Sequence, residues 1–203
     1  MDRHLHWNTV FSTKPSDAVS WFQAKPERSL ALIRERVQPP ARIIDVGGGD
    51  STLVDALLAE RLGEITVLDI SAAALRRSRE RLGAQADVVR WIEADITRAT
   101  LPTAAFDAWH DRAAFHFLTD PADQARYASL AADAIRPAGT LIIATFAADG
   151  PQRCSGLDVV RYSADTLLQA LSAAFTLDDS FNELHHTPTG AEQRFLFAVF
   201  RRR

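Results

Sequence analysis

From residue 41 onward, short apolar runs alternate with stretches whose apolar residues recur every three or four positions. Residues 42–46 (RIIDV) form an apolar run that stops at glycines, which predicts a buried strand. Leu53, Val54, Leu57, Leu58 and Leu62 then fall on one helical face, with Ser51 or Asp50 placed to cap it. Residues 64–70 (EITVLDI) predict a second strand, and Ser71 opens a helix to about Leu82. Residues 88–96 predict a third strand and residues 106–112 a fourth. Asp120-Pro121 supplies an N-cap and a proline at the first helical position of a helix reaching Ile135, which residues 136–139 close. Residues 140–146 (TLIIATF) are apolar enough for a central parallel strand. Ser163 caps a last helix with Leu167, Leu168, Leu171 and Phe175 on one face. Strands near 176–183 and 194–201 follow, joined by a loop too short for a parallel crossover and therefore read as a hairpin.

Residues 1–40 break this rhythm. They hold Trp7 and Trp21 and end in Pro39-Pro40, where a helix cannot continue. They predict an N-terminal helical cap or lid, with residues 41–203 as the main domain. Alternating strands and helices predict a doubly wound α/β fold: seven strands, mostly parallel, one antiparallel. In such sheets ligands bind at the carboxyl ends of the strands.

Composition narrows the choices. With 203 residues the chain can bury a full core without staples. A net charge of −3 argues against a protein built to grip nucleic acid. The single cysteine, Cys154, excludes an intramolecular disulfide and any metal site needing two cysteines of this chain. No apolar run approaches the roughly 18 residues that span a membrane, and the first residues lack a signal-peptide core. A cytoplasmic protein with no membrane partner is expected.

The chemistry gathers at the strand ends. The first strand runs into Asp45-Val46-Gly47-Gly48-Gly49, where glycines let backbone approach a ligand closely. The second ends in Asp69-Ile70, 24 residues after Asp45, and a carboxylate there can accept from both hydroxyls of a ribose. Asp69 also suits a helix N-cap. The third ends in Asp95-Ile96, where Asp95 can accept from an exocyclic amine and Ile96 can pack on a ring. A nicotinamide-dependent oxidoreductase uses the same first elements but wants a third glycine opening the helix, and that position is Thr52. An adenosine ligand without pyrophosphate fits better.

These residues, in this order of elements, resemble a class I S-adenosylmethionine-dependent methyltransferase. The resemblance covers roughly residues 40–203. It implies S-adenosyl-L-methionine as cofactor and S-adenosyl-L-homocysteine as product. It places Asp45 and Gly47, Gly48 and Gly49 beside the methionine moiety, Asp69 and Ile70 at the ribose, and Asp95 and Ile96 at adenine. His6-Trp7-Asn8 and residues 20–23 (SWFQ) look like the aromatic front segment of small methyltransferases that include some protein-lysine methyltransferases, where it shields the cofactor. Trp7 is therefore counted with the cofactor residues. His110-Asp111-Arg112, at the end of the fourth strand, lies where the family keeps residues near the methyl group. His110 is the candidate base (and a cofactor neighbour) and Asp111 its orienter. The Asp-Arg pair is similar to that of thiopurine-type enzymes, which act on small molecules, and differs from the lysine-methyltransferase relatives. Cys154, Arg161 (for an anionic substrate) and His185 are candidate acceptor contacts; no metal is expected. The resulting reading is methyl transfer to N, O or S of a small molecule. The alternatives are a protein-lysine methyltransferase and a noncatalytic module that binds S-adenosylmethionine.

Overall fold

The computed structural model describes residues 2–171 and 173–203. Two helices, α1 (Arg3–Thr13) and α2 (Glu27–Arg36), precede the sheet. Strands β1 (Ala41–Val46), β2 (Gly63–Asp69) and β3 (Arg90–Glu93) alternate with α3 (Leu53–Ala59) and α4 (Ala72–Leu82). After β4 (Phe106–Arg112) come α5 (Pro121–Ala134) and β5 (Ile135–Phe146). A small hairpin, β6 (Arg153–Cys154) with β7 (Leu157–Asp158), leads to α6 (Ala164–Leu171). The chain closes with β8 (Phe175–His186) and β9 (Glu192–Arg202).

The seven long strands order as β3-β2-β1-β4-β5-β9-β8. The first five are parallel, and β9 runs antiparallel to both neighbours. This is the expected doubly wound sheet. Alternation along each strand feeds two cores. Ile44, Val46, Trp109 and Ile143 pack toward α5 and α6, with Tyr127, Leu167 and Leu171. Ile43, Ile65, Ala108, Ile142 and Phe197 pack on the other face, with Ile33 of α2 and Leu57 of α3.

The details differ from the sequence expectation at several points along the chain. The third strand spans only four residues, because residues 83–88 coil into a 3-10 turn and the chain leaves the sheet edge after Glu93. Asp95 and Ile96 therefore sit in the loop beyond it. The segment 136–139 belongs to β5, with Ala138 in the left-handed region (φ 60°). Phe175 leaves the helix face and begins β8, fully buried. The loop after β5 folds its own two-stranded hairpin, and the closing strands are longer than expected, so His185 and His186 lie in β8. Arg201 and Arg202 are strand residues, and Arg202 Nε donates to the Ala132 carbonyl at 2.7 Å.

Candidate functional site

Two adjoining cavities lie at the carboxyl ends of β1, β2 and β4, and they share Phe11, Trp21, Gly47 and Arg112. The larger has an empty volume near 780 Å³, open solvent included. Asp69, Ile70, Asp95 and Ile96 line one end of it; Trp7, Phe117, Arg112 and Cys154 line the other. The second is more polar and is bordered by Ser29, Asp45, Gly47, Gly48 and His110.

The glycine loop makes room for the first cavity. Gly47 has φ +70°, and a Cβ there would lie 2.6 Å from the Ala114 Cβ. At Gly49 (φ +35°) a Cβ would lie 2.7 Å from the Asp69 carboxylate. Only glycine satisfies both constraints. Gly49 thus shapes Asp69 and does not itself line either cavity.

Asp69 faces the cavity at the end of β2 while its Oδ1 accepts from the Ser71 N–H at 2.8 Å. Both of its expected roles fit one carboxylate. Burial pushes its pKa up to about 7, against the lowering effect of the Ser71 N–H. Asp95 turns the next loop, its Oδ1 accepting from the Thr97 N–H (2.9 Å) and hydroxyl (2.7 Å).

The end of β4 corrects the expected dyad. Neighbouring residues of a strand point to opposite faces, so His110 and Asp111 do not meet. Asp111 is fully buried on the α5 side, accepting from the Ala114 and Phe115 N–H groups and from the Tyr127 hydroxyl (2.7 Å). Burial pushes its carboxyl up to about 6 while those donors oppose the rise. It holds the turn after β4. The partner of His110 is Asp45, opposite it in the β1–β4 register, with Nδ1 to Oδ1 at 2.7 Å. Nε2 meets the Ser29 hydroxyl at 2.8 Å. This network fits an imidazole whose Nδ1–H donates to Asp45 and whose Nε2 accepts from Ser29. Both nitrogens are engaged, so His110 is not poised as a base in this arrangement.

Arg112 returns to the His110 face. Its Nη1 donates to the Trp21 carbonyl (2.9 Å), and its guanidinium lies 4.7 Å from the Phe195 ring centroid. Its Nε is sealed from solvent with no hydrogen-bond partner, and among the described residues no carboxylate lies within ion-pair distance. Burial pulls its pKa down to about 10, still a cation at neutral pH. The next residue, Ala113, adopts φ 70°, a strained conformation that turns the chain sharply at the cavity wall.

The N-terminal segment covers these cavities. Trp7 packs edge-on to Phe117 (4.9 Å) and Trp21 (5.8 Å). Asn8 Oδ1 accepts from the Ser71 hydroxyl (2.9 Å) and the Ala73 N–H (3.1 Å), tying α1 to the start of α4. Arg3 pairs with Asp123 of α5 at 2.6 Å. Between α1 and α2 the chain is held by Arg112, by His185 Nε2 on the Ser20 carbonyl (2.8 Å), and by the Thr52 hydroxyl on the Gln23 carbonyl (2.9 Å).

The candidate acceptor contacts separate. Cys154 lines the first cavity, its thiol pushed up by burial. Arg161 is exposed, donates to the Gly150 carbonyl at 3.3 Å, and lines neither cavity. His185 also lies outside both, spent on Ser20. Sequence reasoning missed Ser29, Phe11 and Phe117. Ser29 shares a helical face with Leu32 and Ile33, and a small polar residue on an apolar face was its one signal.

Residues 43–139 match a family described as "Methyltransferase domain". Over this stretch the chain is similar to methyltransferase domains. It is 42% identical over 105 residues to an uncharacterised methyltransferase of Mycobacterium tuberculosis, a match covering 51% of this chain and 50% of that protein. It is 23% identical over 107 residues to the mouse (Mus musculus) eEF1A lysine and N-terminal methyltransferase, covering 53% of this chain and 15% of that protein. Its methyltransferase fold superposes on 1,6-didemethyltoxoflavin-N1-methyltransferase of Burkholderia thailandensis, solved with 1,6-didemethyltoxoflavin and S-adenosylhomocysteine bound, with TM-score 0.69 at 21% identity, covering 87% of this chain and 77% of that one. The chain spans about half the length of the mycobacterial relatives it matches. No helix among the described residues is long and apolar enough to cross a membrane.

Proposed function

We propose that the protein transfers the methyl group of S-adenosylmethionine to a small-molecule acceptor enclosed beneath its N-terminal segment. The residues fit this cofactor. Asp69 offers a buried carboxylate to the ribose, Asp95 and Ile96 suit adenine, and the Cβ-free surface of Gly47 leaves room for the methionine chain. When bound, the cofactor supplies an electrophilic methyl on a sulfonium that is already a good leaving group. This chain's task is then to align a nucleophile in line and to exclude water. Trp7, Phe11, Trp21 and Phe117 keep water out, and the turn at Ala113 fixes the wall against which the acceptor lies.

The observation that carries the small-molecule reading is the charge of the acceptor end. It presents Arg112 and Cys154 among aromatic rings, while the acids of this cavity, Asp69 and Asp95, stand at the nucleoside end. A lysine ammonium would meet a fixed cation with no acid beside it. The toxoflavin enzyme, which acts on a small molecule, supports the same reading; the eEF1A enzyme is the reason to test the other. Incubation with methyl-labelled S-adenosylmethionine should label members of a panel of thiols, phenols and amines and leave lysine peptides unlabelled. Labelling of the peptides alone would reverse the assignment. Saturable cofactor binding with no labelling of any acceptor would favour a noncatalytic module.

A further inference from the structure

The acceptor end holds a cation but no available base. His110 has both nitrogens occupied by Asp45 and Ser29. His116 is fully buried, and its Nδ1 accepts the Phe146 N–H at 3.2 Å. His185 is turned to Ser20, and Asp111 is filled by Tyr127 and two N–H groups. Arg112 stands opposite to these. It lines both cavities, keeps an unpartnered Nε, and meets only a main-chain carbonyl and the face of Phe195. The acids whose field reaches it are committed elsewhere, Glu183 to Arg28 (2.5 Å) and Asp45 to His110. A half-buried guanidinium with a solvent-sealed, unpartnered Nε and no anion beside it is costly to keep, and an anionic ligand repays that cost.

We infer that the acceptor binds as an anion, with Arg112 as its counter-ion, so that its nucleophile is an acidic thiol, phenol or heteroaromatic N–H already ionised on arrival. This rests on the proposed methyl transfer. The lone pair of the anion forms the bond to the methyl carbon, the carbon–sulfur bond breaks, and its electron pair remains on sulfur. No proton is left to move, and a chamber without a base suffices.

The test uses 4-nitrophenol, whose anion absorbs visible light and whose neutral form does not, together with 4-nitrothiophenol and the uncharged control 4-nitroanisole. Each is titrated into the protein saturated with S-adenosylhomocysteine. The ionised probes should bind and the anisole should not. The absorbance titration of bound nitrophenol should move about one pH unit or more below that of the free phenol. Arg112→Met, with its fold checked by thermal unfolding because the Trp21 carbonyl loses its donor, should abolish the shift; Arg112→Lys should retain part of it. An unshifted or raised midpoint, equal binding of the anisole, or no binding of either acid would overturn the inference. Loss of S-adenosylhomocysteine affinity in Arg112→Met, with 5′-methylthioadenosine bound as in wild type and the nitrophenol shift intact, would instead assign Arg112 to the cofactor carboxylate. Failure of the wild-type protein to bind S-adenosylhomocysteine at all would strike the methyltransferase reading itself.

Discussion

Asp69 is the stronger acceptor for a ribose diol as an anion, yet burial holds its pKa near 7. Its folded value lies above the 3.8 of an ordinary aspartate. Folding therefore favours the neutral form, and its stabilising contribution, complete below about pH 4, is lost as pH rises through 7. Cofactor binding runs the other way. Affinity for S-adenosylhomocysteine should fall about tenfold per pH unit below 7, and Asp69→Asn should flatten that profile in calorimetric titrations. Ser29 makes a second prediction. Ser29→Ala leaves the buried Nε2 of His110 without its partner, at a cost of ~1–3 kcal/mol in denaturant unfolding. Asp45 and Asp69 were legible as cavity-lining residues because they lie at strand ends, where sheet and cavity coincide, and Asp95 lies just beyond one. The opposition of His110 and Asp111 was legible too, from strand alternation, but local polar density suggested a dyad. Ser29 was not, because its meaning comes from a residue 81 positions away.

At the scale of elements, α1 has only Val10 and Phe11 buried and little apolar face of its own. Its hold on the domain is specific: Asn8 at the start of α4, Arg3 on Asp123, and the aromatic contacts of Trp7. Asn8→Ala should cost ~0.5–2 kcal/mol as a lost cap-type interaction and should weaken cofactor binding, read together by thermal unfolding with and without S-adenosylhomocysteine. Helix periodicity and strand runs located most elements. They failed where the backbone departs from regular geometry: the 3-10 turn that shortens β3, and the hairpin at residues 153–158 that is too short to leave a pattern. Phe175 shows the same ambiguity, since one apolar residue suits the end of a helix face as well as the start of a buried strand.

Over the whole molecule, the two large cores flank the sheet without help from α1, whose Phe11 packs instead with Ala73 and Ala74 in a small separate cluster. A protein lacking residues 1–13 should therefore still unfold cooperatively, with its affinity for S-adenosylhomocysteine reduced by about tenfold or more, ~1.4 kcal/mol. Retained folding with unchanged affinity would reduce the segment to a structural anchor. A cofactor site made by Gly47, Asp69 and Asp95 is tested by calorimetric titration of the purified protein with S-adenosylhomocysteine and NAD, repeated on Asp69→Ala. Saturable binding of S-adenosylhomocysteine that the substitution weakens, with none for NAD, is the expected result. No binding of S-adenosylhomocysteine, or binding indifferent to Asp69, would contradict it.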